Sequence, residues 1–351
     1  MLNPLGYSVY LSTFPLQQSL LEGAAGSGAP VFLSLHISEE FGADYAARAE
    51  RLCRWLAERQ FKVIADVSVK TVEQFGEPDL VRLAKRLGLW ALRIDYGFTA
   101  DEIAALAERI PIAVNASTTA PEDGKHIAGR GGLVMAMHNF YPRPETGLDD
   151  RFLLESTRAL QAAELKVMAF IPGEGTLRGP LHLGLPTLER HRGGSPYAAF
   201  AELMLRFGLD GAFLADPGLS PGEQARINRL VRDGVLSVPA ILDEGYAGLY
   251  GKVFTCRVDS PAWLVRFAES REYSCFGGHV APVGGAPRPR GTVTIDNSLY
   301  GRYSGELQLL REDFPGDERV NVIGHVAEQY LPLLDCIKRG GRFALTRPER
   351  L

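Results

Sequence analysis

Cysteine is scarce in this chain, and its cysteines are not paired. The 351 residues contain four cysteines and no C-x-x-C spacing, the pattern typical of zinc sites and redox motifs. They are Cys53, Cys256, Cys275 and Cys336. Scattered cysteines fit buried thiols in a reducing compartment better than a disulfide framework. We therefore expect neither disulfides nor a cysteine-bound metal.

The chain also lacks a long hydrophobic segment and a large excess of either charge. No run of about 18 apolar residues occurs, which argues against a membrane-spanning helix. The first residues, MLNPLGYSVYLSTFP, have neither the basic start nor the apolar centre of a signal peptide. The formal net charge of -4 lacks the basic surplus of a nucleic-acid-binding protein. We expect a cytoplasmic protein that binds neither nucleic acid nor membrane, and a homodimer is left open.

Eight short apolar runs alternate with helical patterns over residues 1 to about 235. This alternation is typical of a parallel sheet covered by helices. The runs are YSVYLS (7–12), VFLSLHI (31–37), KVIADV (62–67), ALRIDY (91–96), IAVNAS (112–117), LVMAMHN (133–139), KVMAFI (166–171) and GAFLAD (211–216). Eight such runs predict an α/β fold, a closed (β/α)8 barrel of the TIM type. The alternative is a doubly wound open sheet, but the G-x-G-x-x-G turn expected after its first strand is absent.

The pattern changes after residue 236. The β-like segments there are VFTCRVDS, EYSCFGG, GTVTIDN, SGELQLL and VNVIGHV. Most have no strong helix between them, and EQYLPLLDCIKRGG predicts a short helix near the end. We therefore predict a barrel domain over 1–236 and a β-rich domain over 237–351, each of ordinary domain size.

Polar side chains stand at the ends of most of the eight runs. They are Ser12, His36, Asp66, Asp95, Asn115, His138, Asn139 and Asp216. The C-terminal ends of the strands form the active site of a (β/α)8 barrel. Arg93 lies two positions before Asp95, which places both side chains on one face of the strand. A helix cap is an alternative for Asp66 or Asp216 alone, but the set as a whole indicates a site.

Two loops rich in glycine and proline carry further candidates. HNFYPRPETGL (138–148) follows the sixth run, and PGEGTLRGPLHLGLPTLERHRGG (172–194) follows the seventh. Their candidates are Tyr141, Arg143, Thr146, Glu174 and Arg178. Either arginine could bind a phosphate through paired hydrogen bonds, or be merely solvated or ion-paired. The tyrosine could stack on a sugar or pack beside the prolines.

Three kinds of function fit these residues. Several carboxylates without a Cys/His metal pattern suit glycoside cleavage, which needs a carboxylic acid and a second carboxylate. Carboxylates with histidine could instead hold a divalent metal for a lyase or isomerase acting on a sugar phosphate. No lysine ends a run, which argues against a Schiff-base aldolase. The third alternative is a sugar-phosphate-binding protein without catalysis.

Segments along the whole chain resemble, in order, the bacterial 6-phospho-N-acetylmuramidases. They are VFLSLHISEE, IADVSVKT, ALRIDYGF, IAVNAST, HNFYPRPETGL, AFIPGEGTLRGPLHLGLPTLERHR, GTVTIDNSLYGRYSGELQ and RVNVIGHV. The resemblance implies a TIM-type barrel followed by a small cyclophilin-like domain. It also implies a cytoplasmic glycosidase of peptidoglycan recycling. That enzyme hydrolyses a disaccharide of N-acetylmuramic acid 6-phosphate and N-acetylglucosamine. We expect neither a cofactor nor a metal.

The resemblance suggests roles for the candidate residues. We expect the catalytic carboxylates to be Asp95 with Asp216 or Glu174, and Asp66 is a further candidate. The predicted substrate-binding residues are His36, Arg93, Asn115, His138, Asn139, Tyr141, Arg143, Thr146 and Arg178. Of these, the two loop arginines and the threonine are expected to bind the phosphate or the lactyl carboxylate.

The β-rich domain contains one notable polar cluster, in TIDNSLYGRYSGE. Its members are Asp296, Asn297, Tyr300, Arg302, Tyr303 and Glu306. The cluster is either a lid or subsite wall or the polar surface of a β-hairpin. Because a fold does not imply an activity, we assign this domain no function.

Overall fold

A computed structural model describes residues 3–35, 44–271 and 280–348 of the chain. Its first part is a closed barrel of eight parallel strands, arranged around the barrel in chain order. The strands are β1 (Leu5–Val9), β2 (Pro30–Ser34), β3 (Lys62–Val67), β4 (Ala91–Ile94), β5 (Ile112–Asn115), β6 (Val134–Met137), β7 (Lys166–Ile171) and β8 (Gly211–Leu214). The predicted barrel is confirmed, and the open sheet is excluded because β8 pairs with β1.

Helices follow most of these strands. They are α1 (Phe14–Ala24), α2 (Tyr45–Glu58), α3 (Val69–Phe75), α4 (Leu80–Leu87), α5 (Ala100–Ala107), α6 (Pro121–Ala128), α7 (Asp150–Ala162), α8 (Pro196–Ala201) and α9 (Pro221–Asp233). Helix α2 buries Ala49, Leu52 and Leu56, a spacing that presents one apolar face to the sheet. Helix α5 begins with a capping box, in which the Thr99 hydroxyl accepts from the Glu102 N–H and the Glu102 carboxylate accepts from the Thr99 N–H.

The barrel interior is packed with side chains. Phe32, Phe170 and Phe213 are among its largest members and are each at most 2% exposed. Gly6 leaves the room that Phe213 needs, because a Cβ at Gly6 would lie 2.5 Å from that ring. A filled interior leaves the ends of the strands as the place for a ligand.

Most strands end earlier than the predicted runs. Strand β4 ends at Ile94 and β6 at Met137, so Asp95 and His138 begin the loops that follow. A side chain just beyond a strand can face the barrel mouth or turn under the adjoining loop. Asp95 is an example of the first case, and the fully buried His138 is an example of the second. His36 lies outside the described residues.

By its contacts, the chain divides into two compact units, residues 1–220 and 221–351. The second contains α9 and a sheet in the order β10-β15-β9-β14-β12-β13-β11. Its strands are β9 (Val235–Leu242), β10 (Val253–Thr255), β11 (Leu264–Arg266), β12 (Thr292–Asp296), β13 (Leu307–Leu310), β14 (Val320–Val326) and β15 (Arg342–Thr346). The predicted β-rich character is confirmed, while the domain division at residue 236 stays a prediction.

Details of the second unit differ from the sequence-based picture. Strands β9, β11 and β15 were not among the predicted segments, and EYSCFGG lies outside the described residues. The predicted helix near the end is a 3-10 helix, Glu328–Cys336, with Pro332 inside it. Proline provides no backbone N–H and disfavours the α conformation before it, which fits the irregular helix. Within the described ranges, no helix combines the length and apolar character needed to cross a bilayer.

Candidate active site

A pocket of about 150 Å³ lies at the C-terminal end of the barrel strands. Its apolar wall consists of Phe32, Phe140 and Phe170, whose rings meet edge to face with centroids 5.1 to 6.2 Å apart. Its polar wall consists of Asp66, Arg93, Asp95 and Asn139. Four of the predicted site residues therefore meet in one pocket, on a packed aromatic base.

Arg93 is the centre of the polar wall. Its guanidinium donates from Nη1 to Asp66 Oδ1 at 2.7 Å and to Asp95 Oδ1 at 3.3 Å. Its Nη2 donates to Asn139 Oδ1. Burial lowers the pKa of Arg93, but the two carboxylates outweigh burial and raise it. Arg93 is therefore a permanent cation that fixes the positions of two carboxylates and one amide.

The shared nitrogen limits the distance between the two carboxylates. Because Asp66 Oδ1 and Asp95 Oδ1 lie 2.7 Å and 3.3 Å from the same Nη1, they are at most 6.0 Å apart, the sum of the two distances. The Asp66 side chain is 8% exposed and that of Asp95 25%. One carboxylate is thus nearly buried, while the other reaches solvent.

Arg178 lies beside this pocket. Its guanidinium is 3.9 Å from the ring centroid of Tyr10, and the Tyr10 ring meets Phe140 edge to face at 6.4 Å. The Tyr10 ring therefore lies between the Arg178 guanidinium and Phe140, a residue of the pocket wall. A cation stacked in this way is held in place by the ring.

Asp216 and Glu174 are bound to backbone and do not line the pocket that Asp66 and Asp95 share. The Asp216 carboxylate is fully buried and accepts from the N–H groups of Gly173, Arg178 and Leu185 at 2.9 to 3.0 Å. The Glu174 carboxylate accepts from the Ser220 N–H at 2.8 Å. In these positions both carboxylates fix the shape of the loop after β7.

His138 and Asn115 are also engaged inside the protein. The His138 ring is fully buried, with Nδ1 3.2 Å from Ser117 Oγ and Nε2 3.3 Å from Thr157 Oγ1. Burial lowers the pKa of His138 to about 4, so the ring is neutral at pH 7. Asn115 Oδ1 accepts from the Ser117 N–H at 3.0 Å. The structure places both residues beneath the turn after β5.

Tyr141, Arg143 and Thr146 lie further along the loop that follows β6. The Tyr141 hydroxyl donates to Ser117 Oγ at 3.4 Å. Thr146 Oγ1 donates to the Arg143 carbonyl at 2.6 Å, which closes a turn, and both of these side chains are exposed. The structure does not bring these three residues into the polar wall. Within the described ranges, no group of three or more His, Cys, Asp or Glu side chains is arranged to hold a metal ion.

Glu189 and Arg192 were not predicted, yet they hold this loop. The Glu189 carboxylate accepts from the N–H groups of Glu145 and Gly147, both at 2.8 Å. Arg192 binds Glu189 through Nε at 2.6 Å and Nη2 at 2.7 Å, and Nη2 also donates to the Tyr141 carbonyl at 2.9 Å. Hydrogen bonds from Arg192 and from the backbone lower the pKa of Glu189 to about 2 despite its desolvation. The sequence signal for the pair was its place in GLPTLERHR, a segment that carried the family resemblance.

Comparisons with known proteins cover almost the whole chain. Residues 5–229 match the sequence model described as 6-phospho-N-acetylmuramidase, N-terminal, and residues 238–346 match its C-terminal counterpart. A crystal structure of a conserved Enterococcus faecalis protein with an unknown function is 32% identical. That match covers 98% of this chain and 96% of the other, with a TM-score of 0.82. An uncharacterized B. cereus protein is 23% identical over 99% of this chain and 100% of its own, with a TM-score of 0.80, and shows the fold alone. No curated protein matches the sequence.

Proposed function

We propose, because this chain belongs to the 6-phospho-N-acetylmuramidase family, that its barrel is a glycosidase. The proposed substrate is the disaccharide of N-acetylmuramic acid 6-phosphate and N-acetylglucosamine, cleaved in the cytoplasm during peptidoglycan recycling. The observation that carries the proposal is the pair Asp66 and Asp95, held within 6.0 Å of each other by Arg93 beside the aromatic pocket wall. Two carboxyl groups beside a pocket are what glycoside cleavage needs.

The spacing supports a retaining mechanism. Retaining glycosidases have carboxyl groups about 5–5.5 Å apart, and inverting ones about 6.5–9.5 Å apart, to leave room for a water molecule. An upper limit of 6.0 Å between the two Oδ1 atoms favours the first class. We assign the nucleophile to Asp66, because it is the more deeply buried of the two carboxylates and lies closer to Arg93 Nη1. The partly exposed Asp95 is then the acid and base.

The steps follow from these assignments. Asp95 donates its proton to the glycosidic oxygen while Asp66 attacks the anomeric carbon, so the sugar–oxygen bond breaks as a glycosyl ester forms. Asp95 then removes a proton from water, the water oxygen attacks the same carbon, and the ester bond to Asp66 breaks. The product keeps the configuration of the substrate.

Substrate binding is assigned to the groups around this pair. The rings of Phe140 and Phe170 offer apolar surface to a sugar face, and Asn139 offers an amide to its polar substituents. Arg178 is our candidate for binding the phosphate or the lactyl carboxylate. Its guanidinium stacks on the Tyr10 ring, which in turn contacts Phe140 of the pocket wall. Arg143 is an exposed second cation on the loop after β6. The remaining predicted ligands, His36 among them, stay predictions.

The direct test is turnover of the phosphorylated disaccharide by the full-length protein. We expect two monosaccharides, with retention of configuration visible in the anomer first released. Asp66→Asn and Asp95→Asn should each lower kcat/KM by about 10⁴-fold, equivalent to about 5 kcal/mol of transition-state stabilisation. Asp101→Asn, at an exposed position on α5, is the matched control and should keep the parent rate.

Four results would count against parts of the proposal. Cleavage of the unphosphorylated disaccharide alone would contradict the phosphate assignment. Inversion of configuration, or a parent rate in either Asp variant, would contradict the catalytic assignment. Loss of activity in a strong chelator would favour the metal-dependent lyase or isomerase instead.

A further inference from the structure

A second cavity, of about 380 Å³, lies on one face of the sheet in unit 221–351. Strands β11, β12, β13 and β14 supply its floor. Side chains alternate between the two faces of a strand, and here Val293 and Leu309 face the packed core. The intervening Thr294, Asp296 and Gln308 line the cavity. A polar sheet face that is largely buried and still borders a cavity points to a ligand.

Asp296 is the focus of that face. The residue is 8% exposed, and in the part of the chain that the structure describes its carboxylate receives one side-chain hydrogen bond, from Gln308 Nε2 at 3.1 Å. Gln308 is itself fixed, because its Oε1 accepts from Thr294 Oγ1 at 2.7 Å. Burial raises the pKa of Asp296 to about 7. A carboxyl group with unused hydrogen-bonding capacity is costly to bury, and ligand hydroxyls would use that capacity.

The other acidic groups of the cavity are already neutralised. Glu306 pairs with Arg266 at 2.8 Å and with Arg271. Asp317 pairs with Arg319 at 2.8 Å and accepts from the Tyr300 hydroxyl at 3.3 Å. The lining also contains Arg288, so two guanidiniums, Arg266 and Arg288, face the three carboxylates Asp296, Glu306 and Asp317. The cavity thus offers no surplus of positive charge for a phosphate or carboxylate. Its ligand is therefore an uncharged group that donates hydrogen bonds.

Three aromatic rings complete the cavity: Tyr300, Tyr303 and Phe314. The two tyrosine rings meet edge to face at 6.5 Å, which fixes their orientation. Guanidinium groups lie over all three rings: Arg319 over Tyr300, Arg271 and Arg302 over Tyr303, and Arg288 over Phe314. A pyranose ring would pack its C–H face against the aromatic surface that these side chains leave uncovered, while a carboxyl and an amide suit its hydroxyls. The volume is within the usual range for a small-molecule site, about 300–1,000 Å³.

We propose that this cavity is a binding site for an uncharged sugar ring, of the size of a hexose or an N-acetylhexosamine. Among the residues that the structure describes, those lining the site all belong to unit 221–351, and the proposal does not depend on the activity assigned to the barrel. The charged end of a sugar phosphate is excluded from the site because the cavity offers it no surplus of positive charge.

The test is ligand-observed NMR on the full-length protein with N-acetylglucosamine, glucose and glucose 6-phosphate. Four variants are compared with the parent: Asp296→Asn, Tyr303→Ala, Tyr303→Phe and the barrel variant Asp95→Asn. We expect saturation transfer from the two neutral sugars at millimolar concentration in the parent and in Asp95→Asn. Tyr303→Ala and Asp296→Asn should weaken binding about tenfold, which corresponds to one or two lost contacts, whereas Tyr303→Phe keeps the ring and should keep binding. Thermal melting checks that each variant is folded.

The opposite pattern would overturn the proposal. Absence of binding to the parent would do so, as would binding that survives in both Asp296→Asn and Tyr303→Ala but disappears in Asp95→Asn. Glucose 6-phosphate binding that is as tight as that of glucose, and equally sensitive to Tyr303→Ala, would contradict the exclusion of charge.

Discussion

Two clusters of charged side chains in the barrel unit use the same residue types in opposite ways. In the first, Arg93 is shared between Asp66 and Asp95, and the Asp95 side chain keeps 25% of its surface exposed. In the second, basic side chains surround Glu202, which is 1% exposed. Arg190, His191 and Arg206 approach it at 2.5 to 3.1 Å, so each carboxylate oxygen is within hydrogen-bonding distance of two nitrogens.

The difference shows what distinguishes a site from a structural ion cluster. Burial alone would raise the pKa of Glu202, but its hydrogen bonds outweigh burial and bring the pKa down to about 2. The Glu202 side chain is only 1% exposed to solvent. Asp66 and Asp95 instead line a pocket, where a substrate can reach them. Access, rather than charge density, is what marks the Arg93 cluster as the candidate active site.

The largest expected effect is that a substitution in the Arg93 cluster removes activity, whereas a substitution in the Glu202 cluster lowers stability. Asp66→Asn should remove turnover while the protein stays folded. Glu202→Gln should lower the free energy of unfolding by about 3 kcal/mol, because it removes the buried carboxylate that Arg190, His191 and Arg206 share. Urea denaturation and disaccharide kinetics on both variants measure the two effects.

Glu155→Gln is the matched control for the urea denaturation of Glu202→Gln. Glu155 forms an exposed pair with Arg151 on α7, and the loss of such a pair changes stability by about 0–1 kcal/mol. If Glu202→Gln were as stable as this control, or if Asp66→Asn unfolded the protein, the distinction between the clusters would fail.

A smaller effect concerns His138, a polar side chain buried without charge. Its pKa is about 4 in the folded protein, against 6.5 for an unperturbed histidine. Between these values the unfolded chain takes up a proton that the folded one does not, so stability falls as pH falls through this window. The loss should approach about 2–3 kcal/mol at pH 4, and it should be reduced in His138→Gln. Denaturation curves at several pH values measure it.

The exposed His126 provides the comparison for that experiment. His126→Gln, at an exposed position on α6, is the substitution control, and the change in pH dependence should be larger in His138→Gln. If the free energy of unfolding of His138→Gln depended on pH as steeply as that of the parent, the His138 ring would be charged, or hydrated, in the folded protein.

The smallest effect concerns the contacts that hold the loop after β6. Arg192→Lys removes the paired hydrogen bonds to Glu189, because lysine offers a single ammonium group in place of a planar fork. The loop carries Asn139 and Phe140, so we expect KM to rise about fivefold, equivalent to about 1 kcal/mol, with little change in kcat. The exposed Arg151→Lys is the control. A fall in kcat as large as that of Asp66→Asn would mean that Arg192 acts in the chemistry.

The pattern of the sequence identified the barrel and the edge where its polar residues meet. Each of Asp66, Asp95 and Asn139 follows or ends an apolar run, and parallel strands in a barrel bring such ends to one side. The two-residue spacing of Arg93 and Asp95 predicted a shared face, and the structure shows them in contact. By the same pattern, however, Asp216 looked equivalent to Asp95. Nothing in the sequence indicated that three backbone N–H groups would bind the Asp216 carboxylate, whereas the Asp95 carboxylate would line a pocket beside Arg93.

The contacts that fix the site join residues far apart in the chain. Arg93 meets Asn139 across 46 residues, and Arg192 meets the Tyr141 carbonyl across 51. The sequence by itself determined the strands, the barrel and the residues gathered at its mouth, because periodicity is a local property of the backbone. Only the tertiary structure decided which carboxylates share Arg93 and the pocket, because a hydrogen-bond partner is chosen by how distant segments pack.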